Sequence, residues 1–103
     1  MAFTRSGSYS CTITPPKAPS TYSKMLITFA QDGQNLVVLD EDDVTISGSD
    51  IIVELTQEQT ALFTAGKPAW VQGKFYAAAN DVPVTPEWVI DVMPVLNDTI
   101  LGE

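Results

Sequence analysis

Residues 24–39 read KMLITFAQDGQNLVVL and carry the clearest structural pattern in the chain. Two apolar runs flank Asp32-Gly33, and a type I′ turn needs positive φ at both central positions, which Asp tolerates and Gly prefers. In the first run Met25, Ile27 and Phe29 fall on one face, because successive strand residues point to opposite sides. The stretch therefore predicts an antiparallel hairpin with one face turned toward a core.

Turn signals recur at short, regular intervals along the rest of the chain, with short apolar runs between them. A spacing of about 8–12 residues is typical of β-sandwiches and barrels. Gly48, between β-branched runs, predicts a second hairpin. We expect an all-β fold, an Ig-like antiparallel β-sandwich of about seven strands. The strands are predicted over residues 7–14, 24–31, 34–39, 43–47, 50–55, 69–78 and 87–96.

One segment departs from the β pattern. Thr56 has Gln59 three residues later, which is the spacing of a capping box. Gly66, further along, supplies a stop signal. We expect one short helix between the fifth and sixth strands, burying Leu62 and Phe63.

The length of 103 residues leaves room for one domain. Its 45% hydrophobic and 17% charged content is that of a chain that folds. We predict a flexible N-terminal arm over residues 1–6, the sandwich over 7–96 and a C-terminal tail over 97–103.

The charge balance limits the partners. Five Lys and Arg against thirteen Asp and Glu give a formal net charge of −8, and the basic residues are scattered. Phosphate contacts need clustered cations, so we expect no nucleic-acid partner. No stretch approaches the roughly 18 apolar residues of a membrane helix, so no membrane insertion is expected. The N-terminus lacks an apolar signal-peptide core, which favours synthesis in a cytoplasm.

The residues needed for common catalytic sites are missing. The chain has no histidine, which excludes Ser-His-Asp and Cys-His catalysis and His-ligated zinc. No phosphate-binding loop or serine-nucleophile motif occurs. The lone Cys11 cannot form an internal disulfide and is expected as a half-buried strand residue. We therefore expect no enzyme activity and no cofactor.

The acidic run 40–43 offers oxygen ligands of the kind that bind Ca²⁺, yet it lacks the alternate spacing and central Gly of an EF-hand loop. A solvated turn that keeps strand edges from pairing is the favoured interpretation, with a weak cation site as the alternative.

Aromatic residues are the first candidates for partner contacts. Trp70 and Tyr76 fall on the same face of the sixth strand as Gln72 and Lys74, which implies an outward aromatic pair. Such a pair suits a sugar ring or a partner protein, because aromatic residues dominate interface hot spots. Trp88 is expected in the core.

The tail supplies a second group of candidates. Leu96, Ile100 and Leu101 lie beyond the last apolar run, although tails normally fray. They either fold back on the domain or dock on a neighbouring subunit, and docking is the preferred interpretation.

Three segments carry a family resemblance: TFAQDGQNLVV (28–38), VTISGSDIIVELTQEQTALFTAGKPAWVQGKFY (44–76) and DVMPVLNDTIL (91–101). The chain resembles short single-domain virion structural proteins of tailed bacteriophages and prophages of gut Firmicutes. It departs from them in the sixth strand, which is Arg-rich in many relatives and here reads WVQGKFY. It also departs before the last strand, where many relatives carry a Ser and this chain has Thr85-Pro86-Glu87. Pro86 weakens the pairing expected at the start of the last strand.

The resemblance implies a non-enzymatic virion protein of the tail or baseplate, the neck or the capsid surface. It also implies other virion structural proteins as partners, a homo-oligomer in the assembly, and a location in the virion after assembly in the host bacterial cytoplasm. The alternative is a carbohydrate- or receptor-binding module that uses Trp70 and Tyr76. A hydrolase built on paired acids is a third hypothesis, which the small domain and the missing motifs disfavour.

Overall fold

The computed structural model describes residues 2–96 and 101. Within these residues the elements are β1 (Ala2–Thr4), β2 (Tyr9–Ile13), a 3-10 turn (Pro19–Thr21), β3 (Lys24–Gln31), β4 (Gln34–Asp40), β5 (Thr45–Ser47), β6 (Asp50–Leu55), α1 (Gln57–Thr60), β7 (Pro68–Tyr76) and β8 (Trp88–Met93).

The strands form two sheets. One has five strands in the order β1-β8-β7-β3-β4, and the other has three in the order β2-β6-β5. The β1·β8 pair is parallel and the other pairs are antiparallel. This is the all-β, Ig-like sandwich that the sequence predicts.

Both predicted hairpins are confirmed. Asp32 and Gly33 have φ values of 54° and 77°, as a type I′ turn requires. Gln31 pairs directly with Gln34 across this turn. Gly48, with φ of 62°, closes the hairpin between β5 and β6. Local turn chemistry thus sets the register next to each turn, and an irregularity between Phe29 and Ala30 shifts the register of the β3·β4 pair further along.

The core lies between the two sheets and is built by strand alternation. Ile27 and Phe29 of β3, with Val71 of β7, face Ile51 and Val53 of β6, and all five are essentially inaccessible to solvent. Complete burial of such a side chain contributes about 1.5–3 kcal/mol, so this layer is the main stabilising element.

The helix prediction is confirmed in part. Thr56 and Gln59 form a complete capping box, in which each side chain accepts from the other residue's backbone N–H. Phe63 is buried as predicted, but Leu62 is 57% exposed, so its predicted burial is wrong. The helix ends at Thr60, and the turn that follows points Leu62 to solvent.

The N-terminus differs from the flexible arm predicted over residues 1–6. Ala2–Thr4 form an eighth strand that pairs with β8. Phe3 anchors this strand, because its ring is buried and lies 5.2 Å from the ring of Phe63 in an edge-on contact. The sandwich therefore includes residues that the sequence assigned to an arm.

The last strand is shorter than the predicted 87–96. Proline cannot donate to a ladder, and β8 begins only after Pro86. Before it, Thr85 occupies the free edge of β7: its N–H donates to Gly73 O at 2.9 Å, and its Oγ1 accepts from Gly73 N at 2.9 Å. Residues 83–85 thus pair with the C-terminal part of β7, which β8 does not reach.

Candidate interaction surface

The candidate surface is the outer face of the five-stranded sheet. Most of the large apolar side chains that remain exposed lie on it, because alternation turns them away from the core. We call this set the outer apolar face; its members are Leu26 (β3), Val38 (β4), Trp70 and Tyr76 (β7), Val84, and Val89 and Met93 (β8).

The strand register places these side chains side by side. Trp70 lies opposite Ala30 on one side and opposite Val89 on the other. One row further along, Thr28 is flanked by Val38 and by Gln72, whose side-chain amide donates to Thr85 O at 3.0 Å. The centre of the face is therefore a continuous surface in which Trp70 is the largest side chain.

Charged groups lie at the two ends of this face. Lys74 is opposite Leu26, toward the end of β7, and Asp91 is opposite Pro68, at the start of β7. The residues between them on β7 carry no charge. For a chain of net charge −8, such a charge-poor centre has the character of an interface core, where charged residues are depleted.

The three-stranded sheet has a different outer face. Ser10 and Thr12 of β2, Glu54 of β6 and Thr45 of β5 point outward there and are exposed, and the half-buried Ile52 lies between Thr12 and Thr45. A solvated antiparallel face is normally polar in this way. The five-stranded sheet is therefore the side whose outer face exposes more large apolar side chains.

Trp70 and Tyr76 are both exposed on this face, at 42% and 39%. Six residues along a strand correspond to about 20 Å, which is much more than the width of one sugar ring. The two aromatic side chains therefore do not form a single ring-stacking platform. Trp88 lies on the inner side and packs against the core, as predicted.

An open cleft of about 480 Å³ borders the Tyr76 end of the face. It is lined by apolar groups and by charges of both signs, with Lys24 and Lys74 near Asp40 and Glu41. Glu41 Oε1 accepts from Met25 N at 3.1 Å, and backbone hydrogen bonds hold the pKa of this carboxyl below its usual range. The carboxylate therefore serves to cap the start of β3.

The rest of the acidic run also satisfies backbone groups. Asp43 accepts from the N–H of Asp40 at 3.1 Å, and Asp40 accepts from the N–H of Asp42 at 2.9 Å. Within the described residues no three acidic or cysteine side chains converge in a way that could hold a metal ion. The run behaves as a solvated turn, which is the favoured interpretation of its sequence.

The tail residues fall in part outside the described residues. Ile100, one of the predicted contact residues, lies outside the described residues. Leu96 is fully exposed and Leu101 is 74% exposed. The backbone of Leu101 is nevertheless held by Gln57, whose side-chain amide donates to its carbonyl at 2.6 Å and accepts from its N–H at 2.9 Å. Leu101 thus lies against α1 with its side chain turned outward.

Cys11 is a core residue without the features of a reactive thiol. It is 7% exposed, more deeply buried than the half-buried position expected from sequence. Burial raises the pKa of its thiol. Burial, and secondarily the nearby Cys11 side chain, raises the pKa of the Tyr9 hydroxyl to about 12. A thiol that stays protonated near neutral pH is a poor nucleophile.

Gln31 is a polar residue whose role the sequence did not reveal. It is 4% exposed, and its amide donates to Thr64 O at 2.9 Å and to Lys67 O at 3.1 Å while accepting from Thr64 N at 2.7 Å. Three bonds from one buried side chain fix the loop before β7, and with it the position of Trp70.

Helices long and apolar enough to cross a membrane are absent from the described part of the chain.

Comparison with known proteins bears on the fold alone. No family model matches the chain, and no curated protein does. Among solved structures, the Ig-like domain of mouse leukocyte-associated immunoglobulin-like receptor 1, a strand-swapped dimer, is similar with a TM-score of 0.54 at 5% identity, over 90% of this chain and 86% of that one. A strand-swapped dimer of the same receptor's extracellular domain gives 0.53 at 5% identity, over 89% and 85%.

The V domain of amphioxus IgVJ-C2 gives a TM-score of 0.44 at 10% identity, over 90% of this chain and 99% of that one. At such low identities the likeness to the mouse receptor domain concerns the fold alone. Together with the two-sheet topology, it shows that this chain is an all-β sandwich of the Ig-like type.

Proposed function

We propose that the chain is a non-enzymatic structural component of a tailed-bacteriophage particle, and that the outer apolar face is its main contact surface with other virion proteins. The family resemblance of residues 24–101 supports the phage assignment. The observation that carries the contact surface is the position of Trp70, Val38 and Val89 on one exposed, charge-poor sheet face.

Exposure of the apolar side chains on this face to water is unfavourable in free energy. Apolar area contributes about 25 cal/mol per Å² when it is removed from solvent. Contiguous exposed apolar patches on soluble domains commonly mark protein contact sites. Trp70 at the centre is the residue type most enriched in interface hot spots, and a surrounding rim excludes water from such a residue.

Association between copies is the second part of the proposal. The mouse receptor domains of similar fold are strand-swapped dimers, which supports homo-oligomerisation as a behaviour open to this fold. Lys74 and Asp91 carry opposite charges and lie at opposite ends of the face, which favours pairing of two copies. A two-fold axis between two stacked faces, perpendicular to their strands, brings Lys74 of each copy toward Asp91 of the other.

A carbohydrate- or receptor-binding module is the competing proposal. Exposure of Trp70 and Tyr76 supports it, and the spacing of about 20 Å between them restricts it to an extended ligand. A glycan array separates the two ideas, because binding that is lost in both Trp70→Ala and Tyr76→Ala supports the module. A blank array for the wild-type chain removes it.

The experiment that tests the phage assignment is detection of the chain in purified particles. Particles of the phage that encodes it are purified by density gradient, and their proteins are quantified by mass spectrometry and located by immunogold electron microscopy. We expect the chain at a fixed ratio to the major capsid or tail protein. A chain abundant in the lysate and missing from particles contradicts a structural role.

A further inference from the structure

The N-terminal strand β1 is joined to the domain body by a turn of unfavourable geometry. Ser6 has φ of 65°, in the left-handed region that residues other than Gly, Asn and Asp seldom adopt. Ser6 is also buried, and its Oγ has no hydrogen-bond partner among the described residues. Backbone strain and an unsatisfied hydroxyl therefore coincide at one position, and opening the turn relieves both.

The contacts of β1 form a separable unit on the N-terminal side of Ser6. Ala2, Phe3 and Thr4 pair in parallel with residues 91–93 of β8. The ring of Phe3 lies 5.3 Å from that of Tyr9. Arg5 continues the unit, because its N–H donates to Met93 O at 2.9 Å and its Nε donates to Phe63 O at 3.0 Å. A second copy of the chain offers the same partners in the same geometry.

On the other side of the turn, the domain body keeps its own contacts. The carbonyl of Gly7 accepts from Thr60 Oγ1 at 2.7 Å, which fixes the chain where it enters β2. A backbone bond from Gly7 N to Thr4 O at 3.0 Å closes the turn itself. Opening the turn breaks this bond, while the contacts on either side are retained or made again.

We propose that β1 exchanges between two copies of this chain, so that residues 2–5 of each copy pair with β8 of the other and residues 6–8 act as the hinge. Exchange of an identical element is a low-cost route to a dimer, because the interface already exists within one chain. Strained short hinges favour it. The inference names a contact different from the face-to-face association proposed above, since it depends neither on the outer apolar face nor on a phage particle.

Two opposite substitutions at Ser6 test the role of the hinge. Ser6→Gly accepts a positive φ and carries no hydroxyl, so it favours the closed monomer; we expect the dimer dissociation constant to rise about tenfold. Ser6→Pro fixes φ near −65°, so the closed turn cannot form, and we expect a dimer at concentrations where the wild type is partly monomeric. Light scattering measures both, and an unchanged oligomeric state in both variants overturns the hinge argument.

A directed disulfide tests the exchange itself. Ala2 and Asp91 are both exposed and are register partners, on strands about 4.8 Å apart, a spacing that suits a disulfide. In a Cys11→Ala background, one chain carries Ala2→Cys and a second, distinguishable chain carries Asp91→Cys. The two are unfolded together, refolded and oxidised. Exchange predicts a disulfide between the two chains, because β1 of one then lies beside β8 of the other.

The matched control pairs Ala2→Cys with Thr12→Cys, an exposed residue of the other sheet. A chain that carries both Ala2→Cys and Asp91→Cys reports whether β1 docks at all. Two results together overturn the exchange. One is a disulfide within this double variant, and the other is cross-linking between the Ala2→Cys and Asp91→Cys chains that does not exceed the control. The outer apolar face is tested independently by placing a charge on it at Val89, so the two proposals fail separately.

Discussion

Trp70 on β7 lies directly opposite Val89 on β8, and both side chains point away from the core. The next residue, Val71, points inward and is 1% exposed. Two adjacent residues of one strand therefore carry separate tasks. Trp70 lies on the proposed contact surface, whereas Val71 stabilises the sandwich.

This separation predicts different consequences for two neighbouring substitutions. Val71→Ala removes buried methyl groups, and we expect it to lower the free energy of unfolding by roughly 2 kcal/mol. Trp70→Ala acts at a partly exposed position and leaves no cavity inside the core, so its effect on stability should be smaller than that of Val71→Ala. Urea unfolding of both variants checks this. A larger loss in Trp70→Ala would show that Trp70 is a structural residue.

A second prediction concerns Gln31, which makes three hydrogen bonds to the loop before β7. Gln31→Met keeps the shape of the side chain and removes all three hydrogen bonds. Each such bond contributes about 0.5–1.5 kcal/mol, so we expect a loss of about 2–4 kcal/mol for this variant. Gln72→Met, which removes one bond from a half-buried residue, is the matched control and should cost less than about 1 kcal/mol. Equal losses in the two variants contradict the account.

A third prediction is a loss of stability at alkaline pH. The pKa of Tyr9 is about 12 in the folded chain, against an ordinary 10.0, and the pKa of Cys11 is also raised. The fold therefore favours the neutral forms of both groups. The tyrosine's contribution is complete below pH 10 and is lost as pH rises toward 12.

Urea unfolding across this range measures the effect. Tyr9→Phe should flatten the profile, while Tyr76→Phe, on the exposed outer face, serves as the control. A wild-type profile that stays level up to pH 12 would contradict the burial of these two groups.

A fourth prediction concerns Gly73, over which the ring of Phe75 lies. A Cβ built at Gly73 meets Phe75 Cζ at 2.9 Å and Ile27 Cδ1 at 3.4 Å. Phe75 is inaccessible to solvent and its ring is 5.2 Å from that of Tyr22, so it has little room to move. Overpacking of this kind costs about 1–3 kcal/mol, which we expect for Gly73→Ala in thermal or urea unfolding. A variant as stable as the wild type would show that the ring can shift freely.

Features set by local chemistry were predictable from sequence. Positive φ at Asp32 and Gly33 follows from the residue types, and the capping box of Thr56 and Gln59 follows from their spacing. The outward direction of Trp70 and Tyr76 follows from strand alternation. In each case the deciding information lies within a few residues along the chain.

Features set by distant contacts were not predictable. β1 has only three residues, and its partners lie almost ninety positions away, so no local pattern identifies Phe3 as a core residue. The same holds for Gln31, whose partners Thr64 and Lys67 come from a loop beyond β6. The strain at Ser6 exists only because the chain must turn from one sheet into the other, so it too is invisible in the sequence.

We propose that the outer apolar face is the surface by which the chain enters an assembly, and incorporation into particles tests this directly. A phage lacking the gene is complemented with either Val89→Glu or Thr12→Glu, which place the same new charge on the outer faces of the two sheets. Urea unfolding first confirms that both variants fold, and quantitative mass spectrometry then counts copies per particle.

The account predicts that Thr12→Glu is incorporated at the wild-type level and that Val89→Glu falls about tenfold or more, since a charge buried without a partner in an interface costs more than 1.4 kcal/mol. Incorporation of both variants at the wild-type level would contradict it.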